Sequence, residues 1–373
     1  MIRLFTTDHM VWERRVALFF PTFTPGGIER VLLILAREFN SRGIRVHILV
    51  ADRRGELENQ VPDDVRVVDL EAGRVARSLL PLRTYLATEH PDVLLSGHSH
   101  ANLVCICASM LTRSNITTAV GVHTTESVRL YQGVSSRIIS LLIPWAYRHA
   151  DHVIAVSEGT AADLSSSTRI SSDRISVIPN PVAQPSDDVE VDVHPWIEEQ
   201  DKIVILGAGR LVPTKDFSTL IRGFEKIHQK RPDARLIILG EGKQRPKLES
   251  LVSRLDLDES VNLPGFVDNP TPYMAGSDVF VLCSRREGFG LVLVEAMAVG
   301  TPVVATNCPS GPAEILGEGR YGRLVPPGDV ESLAEAIEGT LQVPKKPQEL
   351  MQRAEDFAPT VVADQYLKMF YCS

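Results

Sequence analysis

The feature that most constrains this chain is an alternation of short, continuous apolar runs with amphipathic stretches. That is the pattern of buried parallel strands joined by crossover helices. Strands of a first sheet are expected at Val16–Phe20, Val46–Val50, Val65–Val68, Val93–Leu95, Thr118–Val120 and Val153–Val156. Between the first two, residues 26–40 carry Ile28, Val31, Leu32, Ile34, Leu35 and Phe39 at helical spacing. A second series is expected at Ile203–Leu206, Leu236–Leu239, Val261–Leu263, Val279–Leu282, Val303–Ala305 and Gly322–Val325. Helices fit between these at 218–230, 245–255 and 291–299. The expectation is an α/β protein of two Rossmann-like domains, over 1–183 and 201–355. An acidic linker at 184–200 would join them, and an amphipathic helix within 356–373 would follow. A length of 373 residues suits two domains of roughly 150 each. Ligands of such sheets bind beyond the carboxyl ends of the strands, so an interdomain cleft is expected to hold the chemistry.

Composition removes several classes. With 44% hydrophobic residues and a net charge of −8, the chain can bury a core and is not mainly disordered. The acidic balance argues against a general nucleic-acid binder. No apolar run reaches the roughly 18 residues that span a bilayer, and 16–21 is too short for a signal-peptide core, so a cytoplasmic location is expected. The cysteines Cys105, Cys107, Cys283, Cys308 and Cys372 are odd in number and scattered through apolar segments, which is no disulfide framework. Cys105 and Cys107 read as small core residues, since zinc hooks use a wider Cys spacing.

Three loops carry chemistry. Gly26 and Gly27 lie between the first strand and the first helix, where they allow close backbone approach and an anion at the helix start; an ordinary strand–helix turn uses the same residues. The segment from Gly207 to Phe217 lacks the third glycine of a dinucleotide fingerprint and places Val212 and Pro213 there instead. Its Arg210 and Lys215 suit a diphosphate, or are two solvated surface cations. In the third loop, Glu287 and Glu295 flank Gly288, Phe289, Gly290 and Leu291, whose N–H groups can cradle a phosphate. Glu287 can accept from sugar hydroxyls or simply cap the helix. Glu295, between Val294 and Ala296, needs a polar partner if buried. The single Asp-x-Asp, Asp256 and Asp258, follows an expected helix and is poorly placed for a metal, and none is expected.

This set, in this order, with Gly322–Asp329 beyond it, resembles retaining nucleotide-sugar glycosyltransferases, and more narrowly glycosyltransferase family four with its GT-B fold of two facing Rossmann-like domains. The resemblance implies a first domain on the acceptor side and a second that binds the nucleotide sugar. It implies that Arg210 and Lys215 neutralise the donor diphosphate and that Glu295 binds ribose hydroxyls. Glu287 and the backbone of 288–291 would hold the donor sugar and phosphates, with Phe266 and Val267 lining the base pocket. His123 would be the strand-end histidine that reaches the reacting sugar; a core or capping histidine is the alternative. His98, His100 and Asn102 are expected along the acceptor-side wall, or as plain polar loop residues. The C-terminal helix would cross back to the first domain.

The resemblance implies transfer of a hexose or N-acetylhexosamine to a glycan or lipid-linked hydroxyl, with UDP favoured over GDP and neither metal nor cofactor. A sugar-nucleotide epimerase, or a sugar-nucleotide sensor without turnover, would use the same fold. Residues 128–148 join aliphatic and aromatic side chains to Arg129, Arg137 and Arg148, which reads as a core helix or as a peripheral contact at the inner face of the membrane.

Overall fold

The computed structural model describes residues 14–112, 115–123, 141–183, 193–199 and 201–372. The chain divides into two compact units, one of residues up to 181 together with those from 359 onward, the other of Val182–Ala358.

The first unit is built on a parallel sheet with strand order β3-β2-β1-β4-β5-β6-β7. The strands are β1 (Arg15–Phe20), β2 (Arg45–Val50), β3 (Arg66–Asp69), β4 (Val93–Ser96), β5 (Thr117–Val122), β6 (His152–Ala155) and β7 (Ile175–Val177). Five consecutive residues of β1, Val16 to Phe20, are fully buried, which explains why the sequence reads as a continuous apolar run rather than an alternating one. Helices α1 (Gly27–Ser41), α2 (Leu79–Glu89) and α3 (Ser99–Thr112) follow β1, β3 and β4. The helix Pro359–Tyr371 belongs to this unit and lies against α1: Phe39 meets Tyr366 and Phe370, each with ring centroids 6.4 Å apart, and Arg42 reaches Asp364 at 3.3 Å.

The second unit has strand order β10-β9-β8-β11-β12-β13, again all parallel. Its strands are β8 (Ile203–Ala208), β9 (Ala234–Leu239), β10 (Val261–Gly265), β11 (Val279–Leu282), β12 (Val303–Thr306) and β13 (Arg323–Val325). One side of the core joins these strands to the helices Phe217–Lys230 and Val330–Leu341 through Phe224, Ile227, Leu333 and Ile337.

Most expected elements recur within one or two residues, but two expectations change. The short β7 falls outside the expected strands, because three residues give too brief an apolar run to stand out. Of the expected linker, 193–199 is described, and there Pro195–Glu198 forms a helical turn. Ile197 packs so closely over Gly276 that a Cβ there would overlap it, and Arg235 lies 5.6 Å over the Trp196 ring. That part is packed structure of the second unit rather than free linker. The five cysteines are free. Burial pushes the Cys105 thiol up to about 12, in keeping with a core role.

Candidate functional site

In both sheets the chain runs outward in opposite directions from a central pair of strands, β1 and β4 in the first, β8 and β11 in the second. Such topological switch points open a crevice at the carboxyl ends of the strands. The polar residues singled out above collect at these two places.

In the second unit, β8 gives way to Gly209, whose φ of 151° disfavours a side chain, and whose carbonyl oxygen lies where any Cβ of Gly240 would be. Pro213–Lys215 then makes a 3₁₀ turn, and Asp216 adopts a left-handed conformation (φ 49°) before the helix Phe217–Lys230. The fixed φ of Pro213 thus serves a turn, not the helix start of a dinucleotide site. The loop after β11 is stitched to this turn. Arg285 N–H donates to Thr214 O at 2.8 Å, the Cys283 thiol donates to Lys215 O at 3.1 Å, and Arg285 Nε donates to Asp216 Oδ2 at 2.8 Å. Lys215 Nζ consequently meets Glu287 Oε1 at 2.5 Å, and the buried Ser284 hydroxyl donates to the same oxygen at 2.6 Å. Thr306 in turn holds the Ser284 carbonyl. Lys215 and Glu287 keep only 20% and 11% of their side-chain surface, so their charges interact in a partly desolvated place.

Glu287 lies in the loop ahead of the helix Leu291–Ala298, and Glu295 lies in that helix, partly exposed and with a polar partner. Phe289 and Gly290 are buried, and Gly311 packs so tightly under the Phe289 carbonyl that a Cβ would overlap it. Ser310 beside it is held at φ 69°. Arg210 is exposed, Phe266 is 53% exposed at the end of β10, and Val267 is partly buried. Asp256 follows the helix Arg245–Arg254 and Asp258 accepts from Ser253 at 2.6 Å, so neither reaches a strand edge.

In the first unit, Gly26 caps α1 in an extended conformation, and Glu29 occupies the first helical turn. A Cβ at Gly26 would meet Glu29 Oε2, the end of a flexible side chain, so the glycine leaves room for the carboxylate in its present place. Glu29 is 7% exposed and its Oε1 faces His98 Nε2 at 2.7 Å. Burial pushes the Glu29 carboxyl up, but the hydrogen bond and charge of His98 outweigh it and hold it below its ordinary value. His100, the second residue of α3, has its ring 5.5 Å from that of His98. His123 follows β5; its Nε2 lies 2.8 Å from where a Cβ of Gly97 or of Gly121 would be, so both glycines make room for the ring. Burial pushes its imidazole down to about 4, and it is neutral at pH 7. Among the described residues its buried Nδ1 has no hydrogen bond of ordinary geometry, though the Asn180 side chain lies near enough to oppose the lowering.

Asn102 differs from the exposed wall position expected of it. It is fully buried, donates to Gly121 O and to Tyr147 Oη at 2.9 Å each, and accepts from Ser96 Oγ at 2.6 Å. Every polar atom is engaged in tying β4, β5 and α3 together, so Asn102 is an internal brace and no acceptor-side contact. The residues that the sequence reading missed are Ser284, Asp216 and Glu29. Glu29 did carry a signal, since it stands with Leu32, Leu33 and Ala36 on the buried face of α1.

Among the described residues, no three His, Cys, Asp or Glu side chains gather as a metal site, and no helix is long and apolar enough to cross a membrane. Of the 128–148 segment only 141–148 is described. There Ile143, Ala146 and Tyr147 are buried, while Leu141, Leu142 and Trp145 are 78%, 46% and 46% exposed.

The family model for glycosyltransferase family 4 matches residues 25–183, and that for glycosyl transferases group 1 matches 190–357. An uncharacterized glycosyltransferase of Methanocaldococcus jannaschii, MJ1059, is 30% identical over 61% of this chain and 58% of its own length. The N-acetylgalactosamine-N,N'-diacetylbacillosaminyl-diphospho-undecaprenol 4-alpha-N-acetylgalactosaminyltransferase of Campylobacter jejuni is 33% identical over 59% of each chain. These matches span less than two thirds of either relative. The crystal structure of Anabaena Alr3699/HepE in complex with UDP superposes with a TM-score of 0.78 over 96% of this chain and 100% of that one, at 21% identity, a likeness of fold. Two parallel-sheet α/β domains that match these models in order, one per unit, make the chain a family-four glycosyltransferase of GT-B fold.

Proposed function

We propose that the protein is a retaining glycosyltransferase that moves a hexose or N-acetylhexosamine from a UDP-sugar to a hydroxyl of a glycan or lipid-linked acceptor. The observation that carries this reading is the network Lys215–Glu287–Ser284 at the switch point of the second sheet. Sugar transfer from a nucleotide must stabilise a departing diphosphate and fix the donor sugar while its anomeric carbon gains positive charge. Lys215 and Arg210 supply cations for the first task, together with the N–H groups of 288–291 at a helix start. This supply of positive charge supports a reaction that needs no bound divalent metal and no cofactor. Glu287, held by Ser284, accepts from the donor sugar's hydroxyls and positions it.

Glu295 takes the ribose hydroxyls, and Phe266 and Val267 take the base. Gly26 and Gly27 bring backbone close to the donor, His123 offers a neutral imidazole to the reacting sugar, and His98 and His100 face the acceptor. UDP as the nucleotide is supported by the UDP complex of the Anabaena protein, and a lipid-linked acceptor by the name of the Campylobacter relative. A peripheral contact with the inner face of the membrane suits such an acceptor, with Leu141, Leu142 and Trp145 as its exposed apolar side chains beside Arg148. Arg129 and Arg137 lie outside the described residues.

The test is incubation with a panel of UDP- and GDP-sugars and lipid-linked acceptors, read by mass. A product heavier by one hexose or N-acetylhexosamine, of retained anomeric configuration by NMR, supports the reading. Release of an epimerised donor without acceptor overturns it.

A further inference from the structure

We propose that Arg353 is a positioning residue for the donor loop, setting the backbone of residues 289–291 through two supports that it holds, Phe357 and the helix Pro312–Ile315. The proposal rests on the reading of that loop as the cradle of the donor phosphates. Every residue in it belongs to the second unit. The first support is aromatic. Phe289 is buried and packs edge-on against the buried Phe357, with ring centroids 5.5 Å apart. Phe357 is itself fixed at two points: its carbonyl accepts from Val182 N–H at 2.9 Å, and the Arg353 guanidinium lies 4.8 Å over its ring.

The second support runs through the backbone. Pro312–Ile315 is a helix of four residues, too short to hold itself. Arg353 Nη2 donates to Glu314 O at 2.7 Å and Nε donates to Ile315 O at 3.0 Å, so one guanidinium holds its C-terminal end. At its other end is Gly311, whose Cβ position the Phe289 carbonyl occupies. The Ile315 side chain also comes within 3.7 Å of where a Cβ of Gly290 would be. A shift of this short helix therefore shifts both residues that pack on the loop.

The task suits arginine in particular. Its planar fork reaches two carbonyls while its flat face covers a ring, and a lysine ammonium has neither fork nor face. The third contact of the guanidinium is of another kind. Nη1 donates to Asp356 Oδ2 at 2.6 Å, but Asp356 is 60% exposed, and an exposed pair of this sort contributes little. The bonds that matter for the loop are those to Glu314, Ile315 and Phe357.

Amide hydrogen exchange of the full chain read by mass, together with a calorimetric titration of UDP, tests this in Arg353→Lys, Arg353→Ala and Asp356→Asn. In both Arg353 variants the amides of 287–298 are expected to exchange roughly tenfold faster, the scale of one lost hydrogen bond to a charged group. UDP is expected to bind about tenfold more weakly by the same reasoning. Exchange in the helix Arg245–Arg254 keeps its wild-type rate, and Asp356→Asn keeps wild-type values throughout. Arg353→Lys carries the test if Arg353→Ala does not fold. Wild-type exchange at 287–298 in the Arg353 variants, or equally faster exchange in Arg245–Arg254, overturns the proposal. So does unchanged UDP affinity in a variant whose loop exchanges faster. A wild type that binds no nucleoside diphosphate overturns the donor reading instead, and the exchange rates still decide whether Arg353 sets the loop.

Discussion

Lys215 and Glu287, 72 positions apart in sequence, meet at 2.5 Å because the turn after β8 and the loop after β11 are stitched to each other through Thr214, Asp216 and Arg285. The pair is pre-organised by backbone contacts rather than by the two long side chains finding each other. That matters for transition-state stabilisation, in which groups already in place need no reorganisation.

Glu287→Ala is therefore expected to lower turnover by roughly 10²-fold, the scale for a positioned polar group. Ser284→Ala is expected to lower it less, since Lys215 still holds the carboxylate. Steady-state kinetics with the cognate donor measures both, and a Ser284→Ala loss larger than that of Glu287→Ala would contradict the order of the network.

Lys215→Ala and Arg210→Ala are expected to weaken UDP and UDP-sugar alike, by about tenfold each, or about 1.4 kcal/mol. Glu295→Ala is expected to act mainly on donor KM. Titration calorimetry with UDP reads the first two, and equal affinity in the double variant removes the diphosphate clamp.

How much of this was open to reading from sequence depended on the range of the interaction. Buried parallel strands such as β1, β8 and β11 announce themselves as unbroken apolar runs, and the Gly-rich turns mark where each strand gives way to a helix. Lys215 and Glu287 could each be picked out by residue type and loop position. Their contact could not, because it depends on which strands are neighbours, and β8 and β11 are separated in the chain by β9 and β10. Asn102 misled for a related reason: polar residues just after a strand look solvent-facing until the helix they begin is packed. His123 was legible as a strand-end histidine, but the burial of its ring depends on Gly97 and Gly121, which leave room for Nε2.

Gly311→Ala is expected to destabilise the second unit by about 1–3 kcal/mol, because φ of 88° disfavours a side chain and the Phe289 carbonyl occupies the Cβ position. A thermal melt measures it. Donor binding should fall with stability, since Phe289 is part of the proposed phosphate cradle; an unchanged melting temperature would show that the loop moves freely.

His47 in β2 is buried, with Tyr85 Oη at 2.6 Å from its Nδ1. Burial, with the charges of Arg15 and Arg66, pushes it down to about 4 from 6.5. The unfolded chain binds this proton more readily than the folded one. The stability involved is therefore whole above pH 6.5 and is lost as pH falls toward 4, a window shared with His123. Melting temperature against pH should decline across that window, and His47→Gln should make the decline shallower. An equal slope in the variant would assign the decline elsewhere.

The most direct test of the central claim is mass analysis of a lipid-linked acceptor incubated with a nucleotide sugar and either wild-type protein or Glu287→Ala. The account predicts that the wild type adds one hexose or N-acetylhexosamine and releases the nucleoside diphosphate, and that the variant forms roughly a hundredth as much product in the same time. Undiminished product from Glu287→Ala, or no product from the wild type with any nucleotide sugar, would contradict it.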